Sequence, residues 1–382
     1  MIDLYLIPLL PEIFMAITAM GLLIVGAQCG RDSLKTVSWF AAIAAFIGIV
    51  IILNINFQDT IILNGFFKFD AFAALIKIII LIGVIASIAL SVHYLVQAGI
   101  PRFEFPVLIL LSSIGMMVMV SANNMLSLYV GLELQSLALY VLAAFNRNSL
   151  KSSEAGIKYF VLGALSSGLL LFGISLIYGY TGTIDFARIQ DTLMGAAQID
   201  FGIVFGLVFI LAGLAFKVSA VPFHMWTPDV YQGAPTPVTA FFAMVPKIAA
   251  MALLIRLLIE PFGVMAAQWQ QILYFMAVAS MLVGAFAGIA QDNIKRLLAY
   301  SSIGNMGYVL IGLIAGSELG VSAIILYLLI YLIMTAGVFA VVLCMRRNEL
   351  PAENIFDLSG LSQYSPGLAY CLAALMLSLA GV

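Results

Sequence analysis

Hydrophobic positions along the chain fall into long unbroken runs, with neither the alternation of a half-buried strand nor the one-sided stripe of a soluble helix. Twelve runs cover residues 8–27, 36–53, 71–96, 104–122, 124–145, 154–178, 202–227, 237–259, 270–290, 297–315, 320–345 and 366–382. A helix of roughly 20 apolar residues crosses the hydrocarbon layer of a bilayer. The pattern predicts an all-α, polytopic transmembrane helix bundle with about twelve spans.

The polar residues between the runs orient the bundle. Arg31, Lys35, Arg102, Arg147, Lys151, Lys295, Arg296, Arg346 and Arg347 follow odd-numbered runs, whereas only Lys68, Arg188 and Arg256 fall on the other side. Basic loops stay in the cytoplasm, so the first set is expected there and the N-terminus on the extracytoplasmic side. Composition agrees with a lipid environment: 64% of the 382 residues are hydrophobic and 9% charged, against about 25% charged in an ordinary soluble domain. The opening Met1-Ile2-Asp3-Leu4 has no basic stretch, and no small-residue cleavage site follows the first run, so no removable signal peptide is expected.

Cys29, Cys344 and Cys371 show no paired spacing, which argues against a disulfide framework, a metal site or an iron–sulfur site. His93 and His224, the two histidines, fall near the ends of separate runs without spacing that suggests axial haem ligation. No Gly-rich dinucleotide loop is present.

What remains is a short set of ionisable residues inside apolar runs: Lys77, Glu133, Lys158, Lys217 and Lys247. A lysine or aspartate at a helix centre costs about 2.5–3.5 kcal/mol on insertion scales, and such groups usually face a bundle interior or a wet cavity. Glu133 is central in its run and is the only carboxylate there. Lys217 and Lys247 lie near mid-depth, where snorkelling is hard; Lys158 and especially Lys77 lie closer to a surface and could reach it. Burial lowers a lysine pKa and a nearby carboxylate raises it again, so a lysine paired with Glu133 could bind and release a proton as the two move.

Prolines accompany two of these lysines. Pro222, five residues after Lys217, and Pro246, directly before Lys247, each remove a helix hydrogen bond, which predicts kinked or broken helices. Membranes tolerate such breaks where they are buried in protein or line a cavity, as in transporters. His224 sits in the first break and is suited to shuttling protons. Ser112, Ser113, Ser166, Ser167, Ser301, Ser302, Thr335 and Tyr308 could hold water between the lysines or serve helix packing.

The runs also suggest an internal duplication. Residues 1–103 form an N-terminal three-span segment, 104–259 a first copy, and 270–382 a second. Five spans per copy would invert one relative to the other. The second is expected to be incomplete, because the chain stops in mid-run at LAALMLSLAGV (372–382).

The stretches LLPEIF (9–14), EAGIKYFVLGALSSGLLLFGISLIYGYTGT (154–183), FKVSAVPFHMWTPDVYQGAPTPVTAFFAMVPK (216–247) and IKRLLAYSSIGNMGYVLIG (294–312) resemble the subunit N family of NADH:quinone oxidoreductase, bacterial respiratory complex I. The resemblance implies fourteen spans, two inverted antiporter-like repeats with broken helices, and a proton-pumping role. The family's central glutamate and lysines of spans five to eight map onto Glu133, Lys158, Lys217 and Lys247; His224, Pro222, Pro246 and Tyr308 are the supporting residues that this chain's own pattern offers beside them. It further implies that NADH, FMN, iron–sulfur clusters and quinone belong to partner subunits, and that no redox active site is in this chain. The partners implied are other complex I membrane subunits and the lipid bilayer of a bacterial inner membrane, with protons and water as the only small-molecule substrates and no nucleic acid. Asn305 stands where many relatives have a histidine, and the family's lysine of span twelve would lie beyond Val382. A subunit of a multi-subunit cation/proton antiporter or membrane-bound hydrogenase is the nearest rival; a non-pumping structural membrane subunit is the plainest.

Overall fold

The structure is a computed structural model that describes residues 4–55, 59–347, 350–351 and 353–381. Met1, Ile2, Asp3, Val382 and the side chains of Arg31, Arg346 and Arg347 lie outside the described part. The helices in chain order are α1 Leu10–Cys29, α2 Leu34–Asn54, α3 Ala71–Gln97, α4 Glu104–Val120, α5 Met125–Ala143, α6 Leu150–Thr181, α7 Phe186–Gly195, α8 Phe201–Val218, α9 Trp226–Gly233, α10 Thr236–Ile259, α11 Ala266–Ile289, α12 Ile294–Ile314, α13 Glu318–Cys344, α14 Leu361–Tyr364 and α15 Pro366–Leu379. Among the described residues ten helices are long and apolar enough to cross a membrane, and α4 and α15 are shorter apolar helices. Each of the twelve hydrophobic runs thus contains an apolar helix.

Local chemistry sets where these helices begin. The side chains of Asp70, Asn124, Ser149, Asn293 and Ser317 accept backbone N–H groups in the first turns of α3, α5, α6, α12 and α13, satisfying donors that a helix leaves unpaired. α10 is the axis of the bundle: every residue from Thr236 to Leu258 is buried, with α3, α4, α5, α8, α12 and α13 packed around it. Outer helices instead expose large apolar side chains, such as Trp39, Phe46, Ile157 and Phe286, as a lipid-facing or partner-facing surface requires.

The two prolines behave differently. The run 202–227 is broken: α8 ends at Val218 and α9 starts only at Trp226. At Pro246, however, the expected break does not form, and α10 continues through it to Ile259. Neighbours on all sides hold that turn in place even though Pro246 cannot donate to the Phe242 carbonyl.

Three features escaped the hydrophobic pattern. α7 is a short amphipathic helix that buries Phe186, Ile189 and Leu193. β1 Thr60–Ile62 and β2 Phe67–Phe69 form an antiparallel hairpin before α3. A second small hairpin joins β3 Arg346–Arg347 and β4 Leu350–Pro351.

Loops segregate by end as the alternation of spans requires. At one end Phe67 pairs with Ala122, Asn124 with Asp185, and Lys68 with Glu260. At the other, Arg296 pairs with Asp229 and Lys295 with Glu353.

Candidate ion path and its helix break

α5 supplies the first part of the site. Glu133, Ser136 and Tyr140 stand three and four residues apart, so they share one face of the helix. Glu133 is half-buried, and the Ser167 hydroxyl from α6 donates to its carboxylate. Lys217 from α8 is 7% exposed and donates from Nζ to Ser136 Oγ at 2.7 Å. The Tyr140 hydroxyl lies 3.5 Å from the same nitrogen. No ion pair joins Glu133 to Lys217 among the described residues; serine hydroxyls stand at both groups, with Ser136 itself donating to the Leu132 carbonyl at 2.6 Å.

The break after Lys217 is built and not merely frayed. Ser219 adopts a left-handed conformation with φ 63°, and the Ala220 N–H returns to the Ala215 carbonyl at 2.9 Å. The Val221 N–H donates to Ser280 Oγ on α11 at 2.9 Å, and Trp226 Nε1 donates to the Phe216 carbonyl at 2.9 Å. Backbone groups that a broken helix would strand in apolar surroundings are therefore paired. The Val221–Pro222 peptide is cis, Pro222 is exposed, and His224 Nδ1 is buried without a hydrogen-bond partner among the described residues.

Lys247 lies at the centre of α10, 1% exposed. Its Nζ donates to Ser302 Oγ on α12, and the Tyr331 hydroxyl of α13 donates to the same oxygen at 2.8 Å. The Tyr231 ring lies 5.6 Å from Nζ. Among the described residues no carboxylate pairs with Lys247. Ring contacts connect the two lysine sites: Phe216 stacks on Tyr159, Tyr159 on Trp226 at 4.4 Å, and Tyr159 meets Phe242 of α10 at 5.6 Å.

Lys158 stands apart from this row. Its side chain is 41% exposed and pairs with Glu154 at 2.8 Å and Asp229 at 2.7 Å. Arg296 reaches the other Asp229 oxygen at 2.8 Å. Glu154, Lys158 and Asp229 line a cavity of about 180 Å³ at the basic end of the bundle. Burial pushes the Asp229 carboxyl up, but hydrogen bonds from Lys158 and Arg296 outweigh it and hold the group below the usual carboxylate range.

Tyr308 is 51% exposed and makes no hydrogen bond to either lysine among the described residues. The tyrosines that do face inward are Tyr331, bonded to Ser302, and Tyr327, whose hydroxyl donates to Asn305 Oδ1 at 2.5 Å. Their spacing of four residues on one helix face was the available signal. Ser136 and Tyr140 were likewise recoverable from their spacing to Glu133. Lys77 does not reach a surface: it is fully buried, 2.6 Å from the carboxylate of Glu12. Of the serines and threonine singled out, Ser167 and Ser302 meet the charged groups. Ser113 and Ser166 bond within their own helices, and the Ser301 carbonyl accepts from Asn305. The side-chain oxygens of Ser112 and Thr335 have no hydrogen-bond partner among the described residues.

A multi-pass helical bundle with buried lysines flanking a broken helix defines the antiporter-like class of ion-translocating membrane subunits. The family described as NADH:quinone oxidoreductase/Mrp antiporter, TM, matches residues 122–382. A protein of Parvibaculum lavamentivorans named NADH-quinone oxidoreductase subunit N is 53% identical over 378 residues, covering 98% of this chain and 78% of that protein. A chain of respiratory complex I from Thermus thermophilus superposes with a TM-score of 0.81 at 31% identity, over 97% of this chain and 78% of that one. A chain of an archaeal membrane-bound sulfane sulfur reductase gives 0.85 at 26% identity, over 98% and 78%. The chain belongs to the NADH:quinone oxidoreductase/Mrp antiporter family, on the branch of NADH-quinone oxidoreductase subunit N.

Proposed function

We propose that this chain moves protons across the membrane as the subunit N of a proton-translocating NADH:quinone oxidoreductase, using Glu133, Lys217 and Lys247 as carriers. The observation that carries this reading is the arrangement of both lysines. Each is buried, each is held by a serine hydroxyl, and they flank a helix break in which the N–H groups of Ser219, Ala220, Val221 and Phe223 are paired. A structural subunit would gain nothing from two such lysines, since apolar residues of the same volume would cost less. Lys158, with Asp229 and Arg296, forms the mouth on the basic end, which faces the cytoplasm of a bacterial inner membrane; the N-terminus faces outward. His224 and the Pro222 break form the mobile element. Residues 104–259 and 270–382 act as inverted antiporter-like copies, and residues 1–103 as the segment ahead of them. Nucleotide, flavin, iron–sulfur and quinone chemistry belong to partner subunits.

The rival reading as a subunit of a cation/proton antiporter shares the same carriers. The branch to which the chain belongs favours the oxidoreductase. The test is NADH-driven proton uptake by membrane vesicles containing the assembled enzyme. Glu133→Gln and Lys217→Ala should each lower proton translocation; wild-type translocation in both would place the path elsewhere.

A further inference from the structure

The N-terminal three-span segment contains a second buried acid–base pair that the carrier row does not use. Glu12 on α1 and Lys77 on α3 are 4% and 0% exposed and stand 2.6 Å apart. Beyond this contact, neither Glu12 carboxyl oxygen nor Lys77 Nζ has a hydrogen-bond partner among the described residues. The ammonium is boxed by the rings of Phe67 and Phe69, 4.6 and 5.1 Å away, which the β1–β2 hairpin carries inward.

Such a pair is a poor stabiliser. Desolvating two charges costs several kcal/mol per ion, and apolar residues in the same space are often as stable or more so. Incomplete hydrogen bonding makes the balance worse.

Its position is also specific. α3 runs antiparallel to α10, with Gly83 opposite Val245 and Asp70 opposite Arg256. At about 1.5 Å per residue, Lys77 lies about 3–6 Å beyond Lys247 in depth, toward the end carrying Lys68 and Glu260. From there ion pairs of rising exposure lead outward: Arg256–Asp70 at 2.8 Å, then Lys68–Glu260 at 2.9 Å. Arg256 cannot give up its proton. Burial pushes Asp70 up, but Arg256 overcomes this and holds it below the usual carboxylate range. That rung is a fixed dipole, so Glu12 and Lys77 are the groups here that can exchange protons. The other helices packed on α3, namely α2, α4 and α13, carry acidic or basic residues only in their first turns, at Lys35, Glu104 and Glu318.

We propose that Glu12 and Lys77 form a second proton-loading site, set beside the Lys217–Lys247 row on the side of the Lys68–Glu260 surface. In the resting pair Glu12 is a carboxylate and Lys77 an ammonium. Loading forms an O–H bond on Glu12 with an incoming proton and releases Lys77 from its anion; unloading breaks that bond and restores the pair. The inference rests on the proton-translocating reading of the carrier row, so Lys217→Ala serves as a control for that reading.

Proton yield per NADH and its pH profile are measured in vesicles for Glu12→Gln, Lys77→Met, their double variant and Glu12→Asp. With Lys217→Ala impaired, the site requires Glu12→Gln and Lys77→Met to lower the yield by about twofold or more and to alter the pH profile. Glu12→Asp, which keeps a carboxyl, should recover most of it. A double variant with native yield and pH profile overturns the proposal, as does Glu12→Asp behaving like Glu12→Gln. If Glu12→Gln does not assemble, the Glu12→Asp pH profile decides: a shifted profile supports the site and an unshifted one overturns it. Normal pumping by Lys217→Ala would instead remove the carrier row itself, whatever the pair does.

Discussion

At the residue scale, tyrosine chemistry separates a packed side chain from a working one. Tyr331 shares the Ser302 oxygen with Lys247, so its hydroxyl helps to fix the position of the one polar group bonded to that ammonium among the described residues. Tyr308 lies two turns from Ser301 on α12, yet half its surface is exposed. Tyr331→Phe should therefore lower proton translocation, with a cost of about 0.5–1.5 kcal/mol for the missing hydrogen bond. Tyr308→Phe should leave it at the native level in the same vesicle assay. Sequence could name Lys247 because a mid-span lysine is costly wherever it points. It could not choose between Tyr308 and Tyr331, since a tyrosine is tolerated on either face of a membrane helix and only tertiary packing decides which is enclosed. Lys77 shows the same limit. Seven residues into a span it could snorkel, and only the buried Glu12 of another helix reveals that it turns inward.

At the element scale, Pro222 and Pro246 carry the same local signal and reach opposite outcomes. After Lys217 the chain has alternative partners for its freed backbone groups: Ser280 for the Val221 N–H and Trp226 for the Phe216 carbonyl. At Pro246 the helix is enclosed on every side, so a break would strand groups with nothing to bond. The twelve runs were readable because a bilayer imposes a length on each span. α7 and the β1–β2 hairpin were not, because they lie outside the spans, where that constraint does not act. Trp226→Phe keeps most of the ring contact with Tyr159 but removes one of the two donors to the Phe216 carbonyl, leaving the Ser219 N–H at 3.2 Å as the other. The enzyme should unfold more easily by about 0.5–1.5 kcal/mol, the net worth of one hydrogen bond, read as a lower thermal midpoint of the purified complex. An unchanged midpoint would mean that the break is satisfied by other groups.

At the scale of the whole molecule, the two proposed copies share a mode of assembly that their sequences do not advertise. In the first, α4 and α5 approach so closely that a Cβ on Gly115 would lie 2.4 Å from the Gln135 nitrogen, and one on Gly131 would lie 2.7 Å from the Met119 nitrogen. In the second, the leading helices α11 and α12 meet in the same fashion, with a Cβ on Gly284 only 2.7 Å from the Gly304 nitrogen. Small residues let helix backbones touch, and in lipid that packing replaces the hydrophobic drive between helices. Such contacts are with rigid backbone, so a side chain cannot be accommodated by rotating a neighbour. Gly115→Val should separate α5 from α4 and displace Glu133 and Ser136 from Lys217. Gly284→Val should separate α11 from α12, carrying Ser302 away from Lys247 and Ser280 away from Val221. Two helix pairs placed alike in their copies would then produce the same defect by different routes. The expected readout is loss of proton translocation with the chain still inserted in the membrane, since each span keeps its hydrophobic length. Were Gly284→Val to pump normally while Gly115→Val did not, the second pair would be a packing device alone, and the likeness of the two copies would stop at their helices.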